Sequence, residues 1–95
     1  MSSIPAGKQK TANDRDVLLS RIGLRVLRRR QELGLTQTEL ADRIGIGRPN
    51  IYRIEHGKQN VTVDTLCKLA DALGITAVEL FSGTAPTASR GPKRE

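Results

Sequence analysis

The sequence predicts an all-α fold of five helices packed around one small core. Apolar residues recur at spacings of three and four over about 68 residues, which is the period of a helix buried on one face. Each of these runs has its own start and stop signals, and no stretch shows the alternating pattern of a strand. A chain of 95 residues with 37% hydrophobic residues and no Trp indicates one domain with a core of Leu, Ile, Val and Ala.

The first helix is expected from about Asp14 to Leu33. Its apolar positions follow a four-residue rhythm, and Gly34 supplies the stop. Acidic residues at its start and arginines at 28–30 near its end complement the helix dipole. Gly23 inside the helix costs roughly 1 kcal/mol relative to Ala. We therefore expect this helix to depend on packing against the rest of the domain.

The second and third helices are short and closely spaced. Thr36 and Glu39 form the T-x-x-E pattern of a capping box, and the helix that they open ends at Gly45. The third helix is expected to begin near Gly47–Pro49 and to end at Gly57, with polar and cationic side chains on its outer face. The residues expected to face the core from these two helices are Leu40, Ala41, Ile44, Ile51 and Ile54.

The fourth helix is capped by Thr62 and stopped by Gly74. Thr76 and Glu79 make a second capping box, which opens a final turn or two at Ala77–Phe81. The stripe expected to face the core from the fourth helix is Val63, Leu66, Cys67, Ala70 and Leu73.

Two polar segments flank the helical region. The segment 1–13 contains Gly and Pro and has no apolar period, so it is predicted to be a disordered basic segment. The segment 82–95 has the same character and is predicted to be a flexible basic tail. The helical domain is therefore expected to occupy residues 14–81.

The charge of the chain points to a polyanionic partner. The net charge is +6 and the pI is about 10.3, which favours nucleic acid. The charge is also unevenly placed: residues 21–58 carry nine Lys or Arg against four acids, a sum of +5. Residues 59–81 carry Lys68 against three acids, a sum of −2. The basic half is the half that contains the second and third helices.

Several classes of function are not expected. A single cysteine, Cys67, excludes an intramolecular disulfide, and we expect it to be reduced and half-buried in a reducing compartment. His56 has no Cys/His cluster around it, so neither a metal site nor any other cofactor is expected. The sequence has no Gly-rich phosphate loop and no Ser/His/Asp triad at a persuasive spacing, so an enzyme is not expected. The absence of a long apolar run or secretory signal indicates a cytoplasmic protein without a membrane partner.

Three blocks of sequence together resemble a known family. They are LGLTQTELADRIGI, the I-x-x-I-E-x-G-K close of the third helix, and TVDTLCKLADALGI. In this order and spacing, over Ile22–Phe81, they resemble the phage repressor/Cro (XRE-type) helix-turn-helix regulators. Restriction–modification controller proteins are similar in length and layout, as are small phage repressors and some antitoxins. The resemblance implies a lambda-repressor-like domain in which the second and third helices form the helix-turn-helix, and the third lies in the DNA major groove.

The resemblance also implies which residues touch DNA bases. Carried over by position, the base readers are Arg48, Asn50, Tyr52 and Arg53. Each arginine can offer a bidentate fork to guanine, although a sequence-neutral phosphate contact is the alternative for both. Gly47 caps the third helix without a side-chain acceptor. Pro49 disfavours helical geometry at the residue before it, so Arg48 is a candidate for the cap itself.

Phosphate contacts are expected at the edges of this interface. The candidates are Gln37, Arg43 and Lys58, each with an ordinary solvated side chain as the alternative. Arg30 and Glu55 align with a pair that forms a salt bridge between the first and third helices in several family members. We expect this pair to position the third helix and to read no base.

The final turn carries apolar residues that suggest a homodimer. Val78, Leu80 and Phe81 either close the core or form a self-complementary patch, and we expect the patch. In the dimer, the third helix of one chain would lie about 34 Å from the third helix of the other, a spacing that favours a palindromic operator in double-stranded DNA.

The expected function is a transcriptional repressor or autoregulator of bacterial or phage origin with no small-molecule ligand. The alternatives are an antitoxin-like module that masks a partner protein, and non-specific DNA packing.

Overall fold

The fold consists of five α-helices joined by short turns, in a computed structural model that describes residues 4–82 and the side chains of residues 14–82. The helices are α1 (Ile4–Glu32), α2 (Gln37–Ile44), α3 (Arg48–Glu55), α4 (Val63–Leu73) and α5 (Ala77–Ser82). No strand occurs among the described residues. The predicted all-α fold of five helices is confirmed. Over residues 4–82, no helix combines the length and hydropathy needed to cross a membrane.

The helix starts are fixed by the local hydrogen bonds that the sequence predicts. The Thr36 hydroxyl accepts from the Glu39 amide at 3.0 Å, and the Glu39 carboxylate accepts from the Thr36 amide at 2.8 Å. Thr76 and Glu79 exchange the same two bonds at the start of α5, at 3.0 and 2.9 Å. These bonds satisfy backbone donors that have no partner inside the helix.

The start of α1 differs from the prediction. The helix begins at Ile4 rather than Asp14, so the segment expected to be disordered is helical from Ile4 onward. Once the packed part of α1 has formed, each added residue gains a hydrogen bond without a new nucleation cost. Residues 4–13 include Ala, Lys and Gln, which have high helix propensity, and Pro5 fits the first turn. Residues 1–3 and 83–95, on which the other tail predictions fall, lie outside the described residues.

The core lies where the five helices meet. It contains Ile22, Val26, Leu40, Ala41, Ile51, Ile54, Leu66, Leu69, Ala70, Leu73 and Leu80. One stripe prediction was wrong: Val63 is 77% exposed and Cys67 is exposed, whereas Leu69 is fully buried. The buried face of α4 runs through positions 66, 69, 70 and 73, which follow the i, i+3, i+4, i+7 spacing of one helix face. Leu66, Ala70 and Leu73 of the predicted stripe are therefore confirmed, and Val63 and Cys67 lie on the solvent side of the buried face.

Gly23 allows α1 to approach the end of α3 closely. A Cβ atom at this position would collide with the backbone carbonyl oxygens of Ile54 and Glu55. A second close approach follows at the turn after α3, where a Cβ on Gly57 would lie 2.9 Å from the Ser20 hydroxyl oxygen. The helix penalty of Gly23 therefore accompanies a backbone contact that sets the position of α3.

Candidate nucleic-acid interface

The α3 helix has one buried face and one polar face. Ile51 and Ile54 are almost completely buried and anchor the helix on the core. Arg48, Tyr52 and Arg53 are exposed on the outer side, and Asn50 is half-buried beside them. This arrangement presents two guanidinium groups, a phenol and an amide on one helix face, which is the side-chain chemistry that reads base edges.

The start of α3 resolves the question raised by Pro49. Gly47 is the N-cap, with φ −78° and ψ 151°, and Arg48 is the first helical residue. Of the two candidates for the cap, Gly47 occupies the position and Arg48 does not. Pro49 is tolerated because the first turn contains no preceding helical carbonyl with which its ring would clash. The backbone N–H of Asn50 donates to the backbone carbonyl of Gly47 at 3.0 Å and closes this turn.

Arg30 of α1 and Glu55 of α3 form a buried ion pair. Arg30 Nε lies 2.6 Å from Glu55 Oε2, and Arg30 NH2 lies 3.1 Å from Oε1. The Glu55 side chain has no exposed surface, and the Arg30 side chain is 12% exposed. Arg30 NH1 also donates to the Leu35 carbonyl at 2.8 Å. The pair expected between the first and third helices is therefore present, and it fixes the C-terminal end of α3.

Gln37 extends this ion pair to the other end of α3. Its Nε2 donates to Glu55 Oε1 at 3.0 Å, and its Oε1 accepts from Arg48 NH1 at 3.0 Å. Arg30, Glu55, Gln37 and Arg48 thus form one continuous hydrogen-bonded series, which we call the polar chain. The polar chain connects α1, both ends of α3 and the first residue of α2. It holds Arg48 through Gln37, a contact that was not predicted from the sequence.

Arg53 is held separately. Its Nε donates to Gln59 Oε1 at 2.8 Å, and its NH2 donates to Asn50 Oδ1 at 3.0 Å. Gln59, which lies in the loop after α3, was not among the residues predicted from the sequence. The available signal was the glycine stop, because a chain that reverses at Gly57 brings the following residues back beside the last turn of the helix.

Tyr52 and His56 stack on one another along the outer face of α3. Their ring centroids are 4.1 Å apart and their planes are inclined by 25°. His56 Nδ1 lies 2.8 Å from the Tyr52 carbonyl oxygen, which ties the imidazole to the end of the helix. The stack limits the directions in which Tyr52 can point.

The remaining predicted contacts are not all brought together. Lys58 is exposed in the turn that follows α3, next to the interface. Arg43 lies in the last turn of α2 and lines a groove with Lys68, Asp71 and Ala72 of α4. Gln37 is at the opposite end of α2, so the structure separates Arg43 from the N-terminal group of predicted contacts.

The α5 helix corrects part of the predicted dimer surface. Leu80 is fully buried in the core of the single chain, whereas Val78 is 73% exposed and Phe81 is 49% exposed. Ala77 and Leu80 are three residues apart and face the core, so Val78 and Phe81 occupy the other side of the helix. Leu80 is a core residue and is unavailable to a second chain.

This fold and interface define a helix-turn-helix protein, and comparison with known proteins places it in a family. Residues 26–80 match the helix-turn-helix family HTH_3. The HTH-type transcriptional regulator y4dJ of Sinorhizobium fredii is 42% identical over 66 residues, which cover 70% of this chain and 86% of that protein. The control protein C.MunI of a Mycoplasma species is 41% identical over 54 residues, covering 57% of this chain and 73% of that protein.

A solved structure supports the same relationship. The restriction-modification controller protein C.AhdI from Aeromonas hydrophila matches with a TM-score of 0.64 and 38% identity, covering 66% of this chain and 96% of that one. The chain belongs to the HTH_3 family. It is a transcriptional regulator of the helix-turn-helix type, related to restriction-modification controller proteins, and regulators of this type bind DNA.

Proposed function

We propose that this regulator binds a palindromic operator as a dimer, with α3 in the major groove, and that it represses or autoregulates transcription. The observation that carries the proposal is the outer face of α3. Two arginines there are each held by a glutamine from outside the helix, Arg48 by Gln37 and Arg53 by Gln59. Side chains held in this way lose less conformational entropy when they meet a base.

The roles of the interface residues follow from their chemistry. Arg48 and Arg53 offer donors to guanine O6 and N7, and the Asn50 amide suits adenine N6 and N7. Tyr52 presents its ring to a thymine methyl group or its hydroxyl to a phosphate. Lys58 supplies a cation for the phosphate backbone.

Besides holding Arg48, Gln37 is placed to contact a phosphate itself. It is the first residue of α2, where unpaired backbone N–H groups and the helix dipole favour an anion. Its amide nitrogen carries two hydrogens, and Glu55 accepts only one of them. Gln37 can therefore hold Arg48 and bind a phosphate oxygen at the same time.

The dimer contact is assigned to the exposed side of α5. Val78 and Phe81 are the apolar side chains of this helix that the core leaves exposed. A two-fold contact through the same patch on both chains is the commonest form of assembly. With the two α3 helices about 34 Å apart, the protein would bind half-sites separated by one turn of DNA.

The direct test is selection of bound duplexes from a random-sequence library, followed by fluorescence-anisotropy titration of the selected duplex and a scrambled one. We expect a palindromic motif. Arg48→Ala and Arg53→Ala should each lower affinity for the selected duplex by roughly 5- to 100-fold, the discrimination of one bidentate base contact. Arg21→Ala removes the same charge from an exposed position on α1 and is the matched control. Failure of the wild-type protein to enrich any motif would contradict the proposal.

Autoregulation has its own test. The DNA upstream of the protein's own gene should contain the selected motif and compete for binding as well as the selected duplex does. A reporter driven by that DNA should fall in output when the protein is supplied. Binding of the upstream DNA no tighter than scrambled DNA would exclude autoregulation and leave operator binding elsewhere.

A further inference from the structure

The loop that follows α3 lies beside one of the two proposed base-reading arginines. Gly57 has a φ of +67°, and the Lys58 amide donates to the Arg53 carbonyl at 2.8 Å, so the chain folds back against the end of the helix. The next residue, Gln59, is half-buried. Its Oε1 accepts from Arg53 Nε at 2.8 Å.

The loop is fastened at its far side as well. The Asn60 side-chain oxygen accepts from Arg15 NH2 of α1 at 2.7 Å. Gln59 is therefore placed between two tied positions, the backbone bond at Lys58 and the side-chain bond at Asn60. A glutamine in such a loop can hold a neighbouring side chain because its own backbone has little freedom to move.

The position of Gln59 also determines which edge of Arg53 is available. A guanidinium has five N–H donors, and two adjacent ones are needed for a bidentate contact with guanine. The Nε–H donates to Gln59 and one hydrogen of NH2 donates to Asn50. With Nε–H engaged, the edge formed by Nε and NH2 is closed to a base. The donors that remain for guanine are those of NH1 and the second hydrogen of NH2, at the far end of the guanidinium.

We propose that Gln59 is a positioning residue that sets the base preference of Arg53 by engaging its Nε–H and aiming the NH1/NH2 end into the groove. This inference rests on the proposed function, because it assigns the specificity of the same interface. It concerns one base pair in each half-site, since Arg48 is held independently by Gln37. Gln59 need not touch DNA itself.

The test compares two replacements of Gln59. Gln59→Met has nearly the same shape but lacks the acceptor oxygen, and Gln59→Glu keeps an acceptor for Arg53. With Gln59→Met, discrimination at the base pair read by Arg53 should fall about two- to tenfold, the cost of ordering one long side chain on binding. Discrimination at the base pair read by Arg48 should not change, because Gln37 holds Arg48 independently. Gln59→Glu should retain the preference at that base pair while binding all duplexes more weakly, because it adds a negative charge near DNA.

A double-mutant cycle separates positioning from direct contact. If Gln59 acts through Arg53, Gln59→Met should have no further effect on base preference once Arg53→Ala is present. Additive losses from the two changes would show that Gln59 reads DNA by itself and would overturn the inference. Thermal unfolding of each variant should give the wild-type midpoint, since Gln59 is not part of the core.

The outcomes also separate this inference from the proposed function. If the wild-type protein enriches no motif, operator binding itself fails. If the wild-type protein enriches a motif that Gln59→Met reproduces at every position, operator binding stands and the positioning role of Gln59 is wrong.

Discussion

Arg30 and Glu55 meet in a two-bond ion pair whose carboxylate is completely enclosed by the protein. The distances are 2.6 and 3.1 Å, and the same carboxylate receives a third hydrogen bond from Gln37. The pair holds α3 at the end opposite to its proposed first base contact, so the proposed recognition surface depends on a buried charge at the other end of the helix.

Removal of Glu55 should strongly destabilise the fold. Glu55→Ala leaves the Arg30 guanidinium without its buried partner, so we expect the free energy of unfolding to fall by about 3–5 kcal/mol. Chemical denaturation followed by circular dichroism measures this change. Glu32→Ala is the matched control, because it breaks a surface pair with Arg29 in which the carboxylate side chain is 64% exposed, and should cost less than about 1 kcal/mol. Equal effects of the two changes would show that burial of the Glu55 pair does not matter.

Gly23→Ala should destabilise the protein even though alanine favours helices. The gain in helix propensity is about 1 kcal/mol, whereas the added Cβ would collide with backbone carbonyl groups at the end of α3 and force the two helices apart. Overpacking of this kind typically costs about 1–3 kcal/mol, so after the gain in propensity the free energy of unfolding should fall by up to about 2 kcal/mol and the melting temperature with it. Gln31→Ala, at an exposed position on the same helix, should change the unfolding free energy by less than about 0.5 kcal/mol. A higher melting temperature for Gly23→Ala would refute the packing role.

Gln37→Ala should weaken DNA binding without changing its dependence on salt. The change releases Arg48 and removes the proposed contact of the uncharged Gln37 amide with a phosphate. No cation is lost from the interface. We expect affinity for the selected duplex to fall about two- to tenfold, with the slope of log affinity against log salt unchanged. Thr38→Ala, at the exposed neighbouring position, is the control. A loss shared equally by scrambled DNA would assign Gln37 to the phosphate backbone alone.

Lys58→Ala, unlike Gln37→Ala, should change the dependence of DNA binding on salt. The loss of one phosphate-bound cation should weaken binding to selected and scrambled duplexes alike and reduce the salt slope by about 1. Lys68→Ala removes a lysine that pairs with Asp64 on α4, and it should leave both affinity and slope unchanged. A selective effect of Lys58→Ala on the selected duplex would contradict the phosphate role.

The exposed and buried residues of α5 should respond differently to substitution. Leu80→Ala opens a cavity in the core and should lower the unfolding free energy by about 2–5 kcal/mol. Val78→Asp places a charge on the proposed contact surface, so the chain should stay folded while the dimer dissociates. Analytical ultracentrifugation over a range of concentrations measures the shift. A wild-type protein that remains monomeric at every concentration would exclude this dimer.

The sequence predicts well the features that depend on neighbouring residues. The capping boxes at Thr36 and Thr76 and the glycine stop at Gly45 involve residues only a few positions apart, and each forms as expected. The Arg30–Glu55 pair was found only through the family resemblance, since 25 positions separate the two residues. The residues that touch DNA are likewise expectations from the resemblance.

The sequence predicts less well the features that depend on how helices are rotated and extended. Cys67 and Leu69 are two positions apart on α4, and which of them is buried depends on how α4 is rotated about its own axis against its neighbours. Leu80 was predicted to belong to the contact surface, and only the packing of α5 shows that it lies in the core. The bond of Gln37 to Arg48 joins side chains eleven residues apart, so no local pattern predicts it. For the bond of Gln59 to Arg53, the glycine stop at Gly57 indicates only that the chain turns back and not which side chains meet.

The polar chain gives the two proposed readers unequal evolutionary freedom. Arg48 is bonded to a glutamine that also supports the buried Glu55, so replacing Arg48 or Gln37 perturbs groups on which the stability of the fold depends. Arg53 is bonded to Asn50 and Gln59, neither of which supports the buried ion pair. Under the proposed function, new operator sequences should be most accessible by exchanging Arg53 together with Gln59, because neither residue supports the buried ion pair.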